Sequence, residues 1–86
     1  MSKEIKKSRS KLERESLDWP RIGQRIRELR GFHLTQAEFA RRIGISQGHL
    51  SYIEHGEKET GVEILLKISR EFGKSLEWIL TGIDKA

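Results

Sequence analysis

Five runs of apolar residues at helical spacing follow one another from Ile22 onward, and each run stops at a glycine: Gly31, Gly44, Gly56, Gly73 and Gly82. A glycine just past a last helical turn takes up the left-handed backbone that closes the helix, a conformation costly for any residue with a Cβ. Such punctuation leaves room only for short helices joined by tight turns. No segment sustains an alternation of apolar and polar residues, so the chain reads as all-α, a compact domain of five helices.

Local signals place the helices. The first opens at Trp19-Pro20, where proline suits the first turn, and carries Ile22, Ile26 and Leu29 on one stripe, with Arg21, Arg25, Arg27 and Arg30 around the rest. Thr35 and Glu38 form a capping box for a second helix that runs to about Ile43 with Phe39, Ala40 and Ile43 on one face. Ser46 caps a third, about Gln47 to His55, anchored by Leu50 and Ile53. Thr60 and Glu63 read as a second capping box, opening a fourth helix with Val62, Leu65, Leu66, Ser69 and Phe72 inward. Ser75 begins a short fifth, Leu76 to Thr81, and the last apolar cluster is Leu76, Trp78, Ile79 and Leu80, with Ile83 beyond. Residues 1–18 are charged and serine-rich, with only Ile5, Leu12 and Leu17 as sizeable apolar groups after the initiator. They cannot bury enough to order themselves, so a polar, flexible arm is expected there, with residues 19–86 as the folded domain.

Composition excludes several classes of function. A chain of 86 residues suits one small domain without a deep substrate cavity. No nucleophile and base stand paired, and no glycine loop is built to cradle phosphates, so an enzyme is not expected. With no cysteine there is neither a disulfide framework nor a thiolate metal site, and His33, His49 and His55 are not spaced as a tetrahedral metal set. No cofactor is implied. The longest apolar runs fall far short of the roughly 20 residues that span a bilayer, and the first 20 residues lack an apolar secretion segment. A soluble, cytoplasmic chain is expected. The net charge of +4 is unevenly spread: residues 21–43 hold six arginines against Glu28 and Glu38, while residues 44–86 carry a small acidic excess. One face suited to a polyanion gives this pattern, and so does a solvated basic helix face.

Gln36, Phe39, Ala40, Ile43, Gly44, Ile45, Leu50, Ile53, Glu54 and Gly56 together resemble the helix-turn-helix of the phage-repressor and Cro family of bacterial regulators. With Ile26 to Arg30 before them and Ser75 to Gly82 after them, the resemblance spans about residues 21–83, and its motifs are specific in spacing. It implies a lambda-repressor-like DNA-binding domain whose third helix enters the major groove, with Gln47, Gly48, Ser51 and Tyr52 as base readers. Gln47 can donate and accept together, which matches adenine N6 and N7. Gly48 departs from the polar side chain many relatives place there.

The resemblance also implies that Gln36 meets a phosphate and braces Gln47, with Arg41, Arg42, His49 and His55 as further phosphate contacts. Arg41 and Arg42 fit equally the solvated face of the second helix. Arg30 and Glu54 resemble a structural ion pair, and Ala40 and Gly44 set the helix crossing. Trp78, Leu80 and Ile83 fall where relatives pack two subunits together, though Trp78 and Leu80 could also close a monomer's core. The expectation is a transcriptional regulator, a repressor, bound as a homodimer to double-stranded operator DNA. The alternative is a protein-binding module, an antitoxin or coactivator, with residues 1–18 as a possible protein-binding arm.

Overall fold

The computed structural model describes residues 17–83. Five helices account for most of them: α1 (Trp19–Arg30), α2 (Gln36–Ile43), α3 (Gln47–His55), α4 (Val62–Phe72) and α5 (Leu76–Thr81). The described residues hold no strand. Apart from residues 17 and 18, the expected arm lies outside the described residues, and Asp18 is already part of the fold: its carboxylate accepts the Arg21 N–H at 3.2 Å and caps α1.

The caps show why each helix starts and stops where it does. At α2 the capping box is complete, because Thr35 Oγ1 accepts the Glu38 N–H at 3.0 Å and Glu38 accepts the Thr35 N–H at 2.8 Å. The Thr35 N–H, and after it the Thr35 hydroxyl, holds the exposed Glu38 carboxyl below its ordinary range. Gly44 ends α2 in the left-handed region at φ 77°. Its N–H donates to the Arg41 carbonyl at 3.2 Å and that of Ile45 to the Ala40 carbonyl at 2.9 Å, which closes the helix and satisfies two of its last four carbonyls. Three residues, Gly44 to Ser46, then turn the chain into α3, where Ser46 Oγ accepts the His49 N–H at 3.0 Å.

The second expected capping box does not form. Gly61, not Thr60, occupies the cap position of α4 and offers no side chain to it, while Thr60 is buried at 7% exposure. The inward face of α4 also differs: Leu65 and Ile68 are buried and Val62 is 75% exposed. Leu65, Ile68 and Phe72 lie three and four residues apart and define the stripe, which leaves Val62, at the first helical position, on its flank.

Packing closes into a circuit. The main contacts run from α1 to α3, α3 to α2, α2 to α4, α4 to α5, and α5 back to α1. Ile22, Ile26, Phe39, Leu50, Ile68 and Ile79 are fully buried at its centre, and burial of side chains of this size stabilises by about 1.5–3 kcal/mol each. Phe39 stacks on Phe72 with ring centroids 4.4 Å apart and planes 5° apart, which seats α4 on α2. The last seam is polar: Arg25 on α1 donates to the carbonyls of Ile79 at 2.8 Å and Leu80 at 3.0 Å, near the end of α5. Among the described residues no helix is long and apolar enough to cross a membrane.

Candidate nucleic-acid interface

The placement of α3 begins at its crossing with α1. Gly23 sits where a Cβ would lie 2.5 Å from the carbonyl oxygens of both Ile53 and Glu54. Gly56, at φ 68°, is as tight: a Cβ there would lie 2.4 Å from Cα of Pro20. Two glycines thus let the backbones of α1 and α3 touch at the C-terminal end of α3, while Leu50 and Ile53 anchor its inner side in the core. On the opposite side Gln47, Gly48, Tyr52 and His55 are exposed. Ala40 is buried at 2% exposure, as the close packing of α2 on α3 requires.

Under that outer face runs a chain of polar contacts. Glu54 is buried at 5% exposure, its side chain fully so. Arg30 meets it in a two-pronged pair, Nε to Oε2 at 2.9 Å and Nη2 to Oε1 at 3.1 Å, and spends another N–H on the Leu34 carbonyl at 3.4 Å. The bond to Glu54 holds the Arg30 guanidinium above its already high ordinary value. Arg27 adds a second cation, with Nε 3.8 Å from Oε1. On the other side, Gln36 Nε2 donates to Oε1 at 3.0 Å, and Gln47 Nε2 in turn donates to Gln36 Oε1 at 3.4 Å. Arg30, Glu54, Gln36 and Gln47 therefore form one relay from the interior to the exposed first turn of α3. Among the described residues, every buried polar side-chain atom has a partner.

The other expected readers gather beside Gln47. Gly48, Ser51, Tyr52 and His55 line a shallow groove together with Glu57, and a Cβ on Gly48 would meet nothing within 4 Å among the described residues. Tyr52 is 55% exposed. His55 Nδ1 lies 2.7 Å from the Ser51 carbonyl, which can only accept, so Nδ1 carries the proton. Only Nε2 is left to face outward, and it can donate to a phosphate only when the ring is doubly protonated. His49 lies one turn away, in a second hollow with Tyr52, Ile53, Lys58 and Glu59.

The remaining expected site residues lie apart from this relay. Arg42 pairs with Glu71 of α4 at 3.8 Å, and with Arg41, Lys67 and Arg70 it lines a hollow between α2 and α4. Both partners of the Arg42 pair are about half exposed, so the pair itself contributes at most about 1 kcal/mol. Trp78 and Leu80 pack against the core, with Lys74 Nζ 4.7 Å over the Trp78 ring, and Ile83 is 53% exposed. Reasoning from sequence did not single out Gly23, Asp18 or Arg27 for these positions. An isolated glycine inside the apolar stripe of α1 was the available sign of a close backbone approach.

With this geometry in view, the helix-turn-helix family profile matches residues 25–79. The chain belongs to the Cro/C1-type helix-turn-helix family. Among solved structures it is similar to the P22 c2 repressor in complex with a synthetic operator, with 32% identity and a TM-score of 0.67 over 72% of this chain and 96% of that one. It is also similar to the restriction-modification controller protein C.AhdI of Aeromonas hydrophila, with 25% identity and a TM-score of 0.66 over 73% and 97% of the two chains. Antitoxin PezA of Streptococcus pneumoniae is 44% identical over 65 residues, 74% of this chain. The chain spans only 40% of that antitoxin's length. An uncharacterized HTH-type transcriptional regulator of Archaeoglobus fulgidus is 33% identical over 54 residues, 62% of this chain and 76% of the relative. Family and neighbours are those of DNA-binding transcriptional regulators.

Proposed function

We propose that the protein regulates transcription, as a repressor, by laying α3 in the major groove of an operator. Gln47, Ser51 and Tyr52 read bases there, and Gly48 lets the backbone come close to them. Gln36 and the start of α2 hold a phosphate, with His49, His55, Arg41 and Arg42 adding contacts to the backbone. Two copies, joined through Trp78, Leu80 and Ile83, present two α3 helices to half-sites about 34 Å apart, one turn of DNA. Phosphate contacts supply affinity, the outer face of α3 supplies choice of sequence, and occupancy of the site excludes polymerase. The observation that carries this reading is the exposed amide of Gln47, held by Gln36 at 3.4 Å at the open end of α3. Selection of bound sequences from random DNA tests it. The expected result is an enriched motif with two related halves and binding that weakens steeply with salt. No enrichment, with no salt-dependent binding, ends the reading.

One observation favours a second reading. The identity to an antitoxin, 44% over 74% of this chain, supports a protein that uses the same fold chiefly to hold another protein, a toxin. In that reading residues 1–18 would carry the grip. A stoichiometric protein partner kept at high salt, with no binding to DNA, favours the second reading over the first.

A further inference from the structure

Away from the outer face of α3, α2 and α4 bring their cations to one place. Arg41 and Arg42 near the end of α2, with Lys67 and Arg70 on α4, line a single hollow of about 380 Å³. Glu71 is the one carboxylate in that lining, and it faces Arg42 at 3.8 Å. Among the described residues Arg41, Lys67 and Arg70 form no ion pair. Glu38, the other carboxylate near the two arginines, is turned back on the Thr35 N–H at 2.8 Å. The Lys67 ammonium hangs over the turn into α3, 3.6 Å from where a Cβ on Gly44 would stand. Four cations against one carboxylate leave the hollow strongly positive, and like charges one turn apart on a helix, as at Lys67 and Arg70, weaken that helix. Packing does not ask for this arrangement, because all four side chains are exposed and α2 meets α4 through Phe39 and Phe72.

We propose that this hollow docks an acidic segment of another protein, whose aspartate or glutamate side chains reach between α2 and α4 to Arg41, Lys67 and Arg70. The surface is separate from residues 1–18, and it shares no residue with the groove of Gly48, Ser51, Tyr52 and His55. Its shape speaks against a small anion. A small-ligand pocket encloses most of its ligand, whereas every residue lining this hollow except Ile43 is exposed. Its concavity speaks against DNA, since a duplex is stiff over this length and rests on the rims, while carboxylates on a flexible backbone enter. Guanidinium and carboxylate match in two-pronged pairs, and a peptide brings several carboxylates at neighbouring positions. The reading given above also assigns Arg41 and Arg42 to the DNA backbone, so the backbone and the acidic segment compete for them. Lys67 and Arg70 belong to the segment alone.

Because of that competition, the test begins without DNA. Octaglutamate is titrated at physiological salt into the wild-type chain, into Lys67→Ala/Arg70→Ala, and into Arg21→Ala/Lys58→Ala, which removes the same charge outside the hollow. Amide NMR signals report where the peptide sits, and those of residues 41–44 and 67–71 are expected to move most in wild type. Affinity is expected to fall about tenfold in Lys67→Ala/Arg70→Ala, the worth of two exposed ion pairs of typical strength. The control pair should lose no more than about twofold, the effect of net charge alone. Lys67→Ala/Arg70→Ala is expected to melt no lower than wild type, since it relieves repulsion on α4, so lost binding is not lost fold. Random duplex DNA is then titrated into the same chains, and Lys67→Ala/Arg70→Ala should keep the affinity and salt dependence of wild type. Equal losses of peptide in the two double variants overturn the proposal, and so does a peptide that moves residues 47–55 most. A salt slope for duplex lower by about two in Lys67→Ala/Arg70→Ala gives the hollow to DNA phosphates and overturns it as well. A chain that selects no DNA sequence loses the reading of α3 as a base reader, and the peptide result stands apart from that loss.

Discussion

On the inner side of α3, Gly23 of α1 has no room for a methyl group, whereas on the outer side Gly48 faces open space. Both are glycines within helices, where the residue weakens the helix by roughly 0.5–1 kcal/mol relative to alanine. The reason for the first is visible in the fold: two carbonyl oxygens 2.5 Å from where a Cβ would stand. For the second, no described atom lies within 4 Å of where a Cβ would stand. Under the proposed function the two sides of α3 answer to separate constraints, packing on one and DNA on the other, and single substitutions can pull them apart.

The largest effect is expected on the inner side. Arg30→Ala leaves the Glu54 carboxylate buried with Arg27 as its nearest cation, and stability should fall by about 3 kcal/mol, the lower end for an orphaned buried charge; a denaturant midpoint close to wild type means that the side of α3 facing α1 is softer than its packing implies. Gly23→Ala should cost about 1–3 kcal/mol by forcing α1 and α3 apart, and its cost should appear in thermal unfolding before it appears in any DNA contact. For Gln47→Ala the expectation is reversed: the melting temperature is unchanged, and about 1–3 kcal/mol is lost on the selected operator, with little lost on random DNA. Equal losses on both kinds of DNA remove Gln47 from base reading. The smallest effect belongs to Gly48→Ala, expected to raise stability by about 0.5–1 kcal/mol while changing affinity for the operator. If affinity does not change, close approach of the backbone at residue 48 is not used.

Most of the helix boundaries were legible because they are written in local chemistry. Ser46 and Ser75 cap the helices they precede, and Gly44, Gly56, Gly73 and Gly82 all adopt the left-handed backbone that ends a helix. Thr35-Gln36-Ala37-Glu38 and Thr60-Gly61-Val62-Glu63 carry the same local signal, yet only the first becomes a capping box. Thr60 is drawn into the interior, and Gly61 takes over the cap position. A capping signal states what the backbone would accept, and burial decides whether the side chain is free to provide it. The same division runs through the interface. The contact of Gln36 with Gln47 was legible only through the family resemblance, which implies that bracing. The pairing of Arg42 with Glu71 was not, since it depends on how α2 lies on α4, and neither did the sequence say which way α4 rolls to bury Ile68 and expose Val62.

The guanidinium of Arg25, bonded to carbonyls 54 and 55 residues further along the chain, also bears on how the molecule is made. A ribosome adding about 5–20 residues per second takes roughly 3 to 11 s to move from Arg25 to Ile79. Until α5 is made, the Arg25 guanidinium cannot reach these carbonyls, and the α1–α5 seam cannot close. Among the described helices the shortest, six residues, is made last and shuts the ring.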